Sequence, residues 1–460
     1  MLRLGSDRRI SFLIKRILTP VSILLVLVLS VQQSLAKQTG PSFIRDAEIE
    51  HTLRSFARPL FKAANLNSDA VEIYIINSKD INAFVAGGQR LFVYVGLLER
   101  VENPGQLKGV IAHETGHIAG GHLARGQEAM KNASIKQIIG MLLGGLAAAA
   151  GGAGAGAAVM LGSGDAATKS YLQYSRNQES SADQAAITFL DRTHQSGRGM
   201  LEFLKIIGAD EYRPQTTVSS FYRSHPVSAD RIVALEQRVK VSPYKDVPDS
   251  PEDIEALKRM QAKLYAFTNP LNKTLHEYPL SDKSIPARYA RAIGYFRYPD
   301  LDKSMAEINS LINEEPSNPY FYELKGQALY ENGNIADALK PLSTAADLAP
   351  DEPLILTLYG TVLNATGDLQ DSEKAIVVLN EALALDPNDG NTWDQAAIAY
   401  SRTGDNGMLS LASAERSLLE GNAEKAIFHA KRALNFFKAG TPARLRAQDI
   451  ITIAEGLQRK

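Results

Sequence analysis

The hydrophobic positions that follow the first forty residues recur with a helical period. Spacings of three to five residues separate successive apolar positions, which lie on one side of an α-helix at 100° per residue. These positions are Ile44, Ile49, Leu53, Phe56 and Leu60. The stretch therefore predicts an amphipathic helix that packs one face against a core.

Two β-strands are predicted next. Val71, Ile73 and Ile75 alternate with polar residues, and the segment RLFVYVG at 90–96 is rich in β-branched and aromatic residues. The glycine pair GG at 87–88 indicates a turn, so we expect it to join the two strands.

Helical patterns dominate the rest of the chain. One helix is predicted from about Pro104, and another over 166–192. The proline-rich acidic stretch VSPYKDVPDSPED at 241–253 is typical of a linker. We therefore expect a first domain that ends near residue 250.

The region after about residue 286 repeats. Pro316 and Pro350 are 34 residues apart, which is the period of tetratricopeptide repeats. Small or aromatic residues occupy the expected positions of two units: Tyr322, Gly326, Ala338 and Ala345 in one, and Gly360, Ala375, Ala382 and Pro387 in the next. The pattern favours a repeat solenoid over a generic helical bundle, because stacked helix pairs bury their apolar faces on each other.

The amino terminus has the features of an export signal. Basic residues precede an uncharged run, VSILLVLVLSV, and Ser34-Leu35-Ala36 supplies small residues for cleavage. We interpret 1–36 as a cleaved signal peptide, with an uncleaved membrane anchor as the alternative.

A second uncharged stretch spans 26 residues at 137–162. It is long enough to cross a bilayer, but its centre is glycine and alanine, which contribute little transfer energy. A glycine-rich loop or helical hairpin packed on the domain is the favoured interpretation. The alternatives are a segment that touches a membrane or gates the site, and a true membrane span.

Charge and composition exclude some classes of protein. The chain has 50 basic and 51 acidic residues, and no long run of one sign. This balance argues against a nucleic-acid-binding surface. There is no cysteine, so neither a disulfide nor a cysteine-linked lipid anchor is available.

The motif HETGH at 113–117 carries candidate metal chemistry. On a helix, His113 and His117 project from the same face one turn apart, so both can ligate one metal ion. Glu114 lies beside them, where it can accept a proton from a metal-bound water. This arrangement is typical of zinc hydrolases.

The third ligand has two candidates. His122 is five residues beyond His117 and, if the helix continues, its side chain points about 140° away from the metal. Glu179 and Asp183 share a face of the later helix, so one carboxylate can ligate the ion while the other accepts the second N–H of a ligating imidazole. We therefore favour Glu179 as the ligand and interpret His122 as a structural or surface residue.

Four sequence segments together resemble a known family. NAFVAGGQRLFVYVGLL, HETGH, ESSAD and SHPVSADRI, in that order, are similar to the zinc metallopeptidase family that includes the CAAX-prenyl endoprotease and heat-shock protease X. The signal peptide and the repeats make the whole chain resemble its periplasmic branch.

The resemblance implies an α+β fold with a gluzincin-type core, an active-site helix beside a small sheet, followed by an all-α solenoid. It implies one Zn²⁺ ion held by His113, His117 and Glu179, with Glu114 as general base and Asp183 as an outer partner. His225, in SHPVSADRI, corresponds to a family motif. It either donates a hydrogen bond to the oxyanion as a catalytic residue or caps the open zinc position.

Two further expectations concern neighbouring segments. Arg231 follows His225 by six residues and is a candidate partner for a nearby carboxylate. RLFVYVG resembles the edge strand along which such peptidases bind an extended substrate through backbone pairing.

The motifs and the signal peptide thus predict a zinc endopeptidase of the bacterial periplasm, and the family resemblance implies a role in outer-membrane protein assembly and quality control. Its expected partners are misfolded outer-membrane proteins and, through the repeats, the assembly machinery, with membrane contact through 137–162 left open. A periplasmic chaperone or scaffold with a latent protease site is the alternative. The predicted divisions are 1–36 signal peptide, 37–250 metallopeptidase domain, 251–285 linker and connecting helix, and 286–460 repeats.

Overall fold

The computed structural model describes residues 42–122, 176–210 and 224–458. The predicted signal peptide and the segment 137–162 lie outside these residues. Among the helices of the described ranges, none combines the length and the apolarity needed to span a bilayer.

A four-stranded mixed sheet lies in the first domain. Its strands are β1 (Phe43–Ile44), β2 (Glu72–Ile76), β3 (Ala83–Ala86) and β4 (Arg90–Tyr94), in the spatial order β1-β2-β4-β3. β2 pairs with β4 in parallel, and the other two neighbouring pairs are antiparallel.

The strand prediction was incomplete. Gly87 and Gly88 have positive φ values of 58° and 95° and join β3 to β4, whereas β2 pairs with β4 in parallel. β3 was missed because all four of its residues are buried, so the strand shows no alternation of apolar and polar positions.

The expectation that RLFVYVG forms an edge strand was wrong. These residues form β4 and the start of the next helix, and β4 lies between β2 and β3. The end strand on this side of the described sheet is β3, which packs against the motif helix.

Seven helices of the described ranges surround this sheet: α1 (Ala47–Ala63), α2 (Val95–Arg100), α3 (Pro104–Ala119), α4 (Arg176–Arg192), α5 (Arg198–Asp210), α6 (Ala229–Val241) and α7 (Pro251–Thr268). The predicted apolar face of α1 is confirmed, since its members from Ile49 to Leu60 are buried in one core with the sheet and α3. The helix starts later than Ile44 because the side chain of Asp46 caps it by accepting from the Ile49 amide at 3.0 Å.

Successive helices of the second region pack as antiparallel neighbours, as the repeat pattern predicts. They are α8 (Leu271–Glu277), α9 (Ile285–Arg297), α10 (Leu301–Glu314), α11 (Pro319–Glu331), α12 (Ile335–Leu348), α13 (Pro353–Ala365), α14 (Leu369–Leu385), α15 (Gly390–Thr403), α16 (Asn406–Leu419), α17 (Ala423–Leu434) and α18 (Pro442–Gln458). A Cβ at Gly326 would lie 2.3 Å from Leu342, and one at Gly360 would lie 2.5 Å from Leu379. Glycine is therefore needed for the close helix approach in both units.

Helix α7 connects the two regions and contributes to both cores. Leu257 and Leu264 pack in the core of the first domain, while Ala262 and Ala266 pack with the first repeat helices. The predicted connecting segment is thus a shared structural element whose two faces hold the regions together.

A buried charged cluster lies at the same junction. The ammonium group of Lys263 lies 2.8 Å from Asp46, 3.6 Å from Glu48 and 3.9 Å from Glu323. Arg259 contacts Glu48 at 3.1 Å. Three carboxylates therefore surround one lysine in a region shielded from water.

Candidate metal centre

Helix α3 presents the HETGH motif to the interior. Asn103 caps the helix by accepting from the Gln106 amide at 2.9 Å, and Pro104 occupies the first turn. His113, Glu114 and His117 follow within the next turns, and none of them is more than 3% exposed. Burial of three polar side chains on a helix requires partners from neighbouring elements.

Four side chains converge on one point. The Nε2 atoms of His113 and His117 are 3.0 Å apart, and Glu179 Oε1 on α4 lies 3.2 Å from His117 Nε2. His225 Nδ1 lies 3.2 Å from the same glutamate oxygen and 3.3 Å from His113 Nε2. All four donor atoms lie within 4.8 Å of one another.

This spacing is short enough for one metal ion to contact all four atoms. Bonds of about 2.0–2.1 Å, as found for zinc with nitrogen and oxygen ligands, keep neighbouring ligand atoms about 3.3 Å apart. Three imidazoles and one carboxylate are also a donor set that zinc accepts. The geometry therefore indicates a metal site, built from α3, α4 and the segment before α6.

An outer layer of charged residues holds this cluster. Asp183 Oδ1 lies 2.9 Å from His113 Nδ1, and Arg231 reaches both oxygens of Asp183 at 2.8 and 2.9 Å. Arg231 Nη1 also lies 2.7 Å from Glu179 Oε2 and donates to the carbonyl of Pro226 at 2.7 Å. The predicted pairing of Arg231 with a carboxylate is found, and it involves both acidic residues of the ESSAD segment.

The electrostatics follow from this arrangement. Burial lowers the pKa of His113, but the carboxylates of Asp183 and Glu179 outweigh it and raise that pKa to about 10. Burial also lowers the pKa of His117, to about 3, although Glu179 opposes the shift. Of the two motif histidines, the carboxylate of Asp183 thus affects mainly the pKa of His113.

Glu114 lies beside the cluster and outside its ring of donor atoms. Its side chain is fully buried, and its carboxylate faces the backbone amide of Val85 on β3. Burial raises the pKa of Glu114, while His225 and His113 oppose the shift. His225 Nε2 lies 3.3 Å from Glu114 Oε1.

His225 reaches the cluster from a short segment anchored on the sheet. Ser224 Oγ donates to Asn82 Oδ1 at 3.1 Å, and His225 Nε2 lies 3.2 Å from the Ala83 carbonyl oxygen at the start of β3. The backbone carbonyl of Pro226 is fixed by Arg231. Sequence analysis singled out His225 but did not foresee its contact with β3.

The side chain of His122 does not point away from the motif as expected. Helix α3 ends at Ala119, and His122 Nδ1 lies 3.0 Å from His117 Nδ1. The prediction assumed that the helix continues through Gly120 and Gly121, which it does not.

The fold and the cluster together define a metallopeptidase: an H-E-x-x-H helix supplies two histidines and a buried glutamate, and a glutamate from the next described helix joins them. Residues 44–239 match peptidase family M48.

The known proteins that are similar to this chain are proteases. A relative from Vibrio cholerae serotype O1 is 26% identical over 412 residues, which are 88% of this chain and 83% of the relative. The beta-barrel assembly-enhancing protease of Escherichia coli strain K12 is 24% identical over 422 residues, 91% of this chain and 85% of that protein. Metalloprotease LoiP of the same strain is 29% identical over 184 residues, 39% of this chain and 68% of LoiP.

Proposed function

We propose that the protein is a zinc-dependent endopeptidase in which His113, His117 and Glu179 hold the ion. The observation that carries this proposal is the set of donor separations between 3.0 and 3.3 Å in a fully buried cluster. When bound, zinc supplies a Lewis acid that polarises the scissile carbonyl and lowers the pKa of water towards neutrality.

Glu114 is the proposed general base. Its carboxylate accepts a proton from the attacking water and delivers that proton to the departing amine nitrogen of the cleaved peptide bond. Its burial beside the cluster, with Oε1 3.3 Å from His225 Nε2, supports this role.

His225 has a proposed regulatory role in the same site. Its Nδ1 atom lies at ligand distance from both His113 and Glu179, so in this conformation it supplies a fourth ligand where a catalytic zinc site needs an open position. The segment that carries His225 must therefore move before a substrate carbonyl can reach the site. We infer that His225 keeps the resting enzyme inactive.

The proposed substrate is an extended polypeptide that lies along β3. β3 is the end strand on the side of α3, but its residues are buried in this conformation, so the segment that carries His225 must move away from Ala83 before a substrate can pair with the strand. Backbone pairing to a strand requires no particular side chains, which suits an enzyme that acts on many misfolded proteins.

The proposed biological role is quality control in outer-membrane protein assembly within the bacterial periplasm. The name of the E. coli relative, a beta-barrel assembly-enhancing protease that aligns with 91% of this chain, supports this role. β-Barrel precursors expose strands that lack partners, and such strands suit the binding mode proposed for β3. The predicted signal peptide at 1–36 supports export, and the repeats are the proposed docking region for substrates or assembly partners.

A second function, assembly scaffold, is favoured by one observation. His225 fills the fourth position of the cluster, so the resting protein has the geometry of an inactive protease. A protein of this kind can bind precursors without cleaving them. The two functions predict different results in cells: loss of the Glu114 carboxylate impairs a protease but leaves a scaffold functional.

The experiment compares the wild type with Glu114→Gln and with a control, Glu102→Gln, whose exposed side chain precedes α3. We expect Glu114→Gln to lower cleavage of denatured casein by at least roughly 10²-fold while zinc content stays unchanged. Equal and measurable cleavage by the two variants would reject Glu114 as the general base of a protease. If Glu114→Gln supports outer-membrane assembly in cells as well as the wild type does, the scaffold function is the physiological one.

A further inference from the structure

Helix α3 ends in a turn that reverses the chain direction. Gly120 keeps a helical backbone with φ of −76°, and Gly121 adopts φ of +61°, a left-handed conformation that favours glycine. The amide of His122 then donates to the carbonyl of His117 at 3.2 Å. This glycine-based helix ending brings residue 122 back over the last turn of the helix.

The turn puts the His122 ring directly against the ring of His117. The two ring centroids are 5.0 Å apart at an interplanar angle of 76°, and the Nδ1 atoms of the two rings are 3.0 Å apart. Gly120 leaves the space for this contact: a Cβ at that position would lie 2.5 Å from His122 Nε2. Gly121 thus favours the turn, and Gly120 leaves room for the His122 ring.

The nitrogen of His117 that His122 contacts is the one turned away from the cluster. His117 Nε2 faces Glu179 Oε1 at 3.2 Å, which is the ligand side of the ring. An imidazole that ligates through Nε2 carries its proton on Nδ1, and that N–H requires an acceptor. The lone pair of His122 Nδ1 is an acceptor at hydrogen-bond distance.

We propose that His122 is a positioning residue that accepts the Nδ1–H hydrogen bond of His117 and so fixes the ring's tautomer and orientation for metal binding. This inference rests on the proposed metal function of His117. It gives the two motif histidines separate outer partners, Asp183 for His113 and His122 for His117. Outer partners of this kind contribute about 10–100-fold in metal affinity.

The test measures zinc affinity of the full chain by competition with a chromogenic chelator. His122→Phe keeps a ring of similar size but removes the acceptor, whereas His122→Asn places an amide oxygen near the position of Nδ1. We expect His122→Phe to weaken zinc binding by roughly 10–100-fold and His122→Asn to restore most of that loss. His276→Phe, at an exposed histidine on α8, is the control and is expected to bind zinc as the wild type does.

A second variant moves His122 without replacing it. Gly120→Ala is compatible with the helical backbone at this position, but its methyl group displaces the His122 ring. We expect the same loss of zinc affinity, and no further loss when Gly120→Ala is combined with His122→Phe.

The melting temperature of the zinc-free protein separates positioning from packing. We expect His122→Phe to leave it unchanged; an equal fall with and without zinc would mean a packing role and reject the proposal. Wild-type affinity in His122→Phe would also reject it. If the wild type itself binds no zinc, the proposed metal site fails, which is a different result.

Discussion

Gly116 on α3 lies against the backbone of Ala182 on α4. A Cβ at Gly116 would come within 2.8 Å of the Ala182 carbonyl oxygen and 3.0 Å of its Cα atom. Gly116 directly precedes the ligand candidate His117, and Ala182 is one turn from Glu179. The contact between these two small residues therefore sets the separation of the two helices that carry the metal cluster.

Gly116→Ala is expected to disturb both stability and metal binding. The added methyl meets backbone atoms, which cannot rotate away, so α3 and α4 must separate; overpacking of this kind costs about 1–3 kcal/mol. Separation of the helices also moves Glu179 from His117, so zinc affinity falls. Thermal unfolding and chelator competition measure the two effects.

The matched control is Gly456→Ala in the last helix, where an added Cβ meets nothing within 4 Å. Alanine favours a helix over glycine by about 1 kcal/mol, so this control is neutral or stabilising. Unchanged zinc affinity in Gly116→Ala would show that the helix contact does not set the ligand geometry.

The sequence was sufficient for the parts of the site that depend on helical periodicity. His113 and His117 share a face because they are one turn apart, and the same spacing placed Glu179 and Asp183 together on a later helix. His113, His117 and Glu179 lie in the cluster and Asp183 contacts it from the outer layer, because local geometry alone relates the members of each pair.

The sequence was insufficient where the chain departs from regular periods or makes distant contacts. β3 lacks alternation because it is buried on both faces, and the side-chain direction of His122 depends on a helix ending that the motif does not reveal. His51 pairs with Glu352, 301 residues away, at 2.6 Å. No local pattern predicts such a contact, because it depends on how α1 packs against the repeats.

Asp183→Asn is expected to weaken zinc binding by roughly 10–100-fold. The amide carries no charge, so it no longer makes His113 a stronger ligand through the 2.9 Å contact with Nδ1. Asp191→Asn is the control, since Asp191 lies on the same helix and accepts from Ser242 instead. Chelator competition at one pH compares the zinc affinities of the two variants. Equal affinities would show that Asp183 does not contribute to metal binding.

His225→Ala is expected to raise the rate of casein cleavage. The substitution removes the proposed fourth ligand and the contact with the Ala83 carbonyl, which would leave room for a substrate carbonyl beside His113, His117 and Glu179. Initial rates at equal zinc occupancy measure the effect, with His429→Ala in the repeats as control. A loss of activity to the level of Glu114→Gln would instead make His225 a catalytic residue.

Glu323→Gln is expected to stabilise the protein at alkaline pH. Burial raises the pKa of Glu323 to about 8, with Asp46 and Glu48 adding to the shift and Lys263 only partly opposing it. The folded state therefore keeps a proton that the unfolded state loses near the ordinary pKa of about 4.3 for glutamate. Stability is then lost as the pH rises from about 5 towards 8, because the unfolded chain releases the proton that folded Glu323 retains beside Asp46 and Glu48.

Glutamine cannot ionise, so it removes this loss. We expect the free energy of unfolding of Glu323→Gln to match the wild type near pH 5 and to exceed it by on the order of 1–3 kcal/mol at pH 8.5. Urea unfolding across this range measures the difference, and Glu331→Gln, an exposed position at the end of the same helix, controls for the loss of a charge. Parallel stability curves for the wild type and Glu323→Gln would mean that Glu323 is already ionised at pH 5, with Lys263 as its full counter-charge.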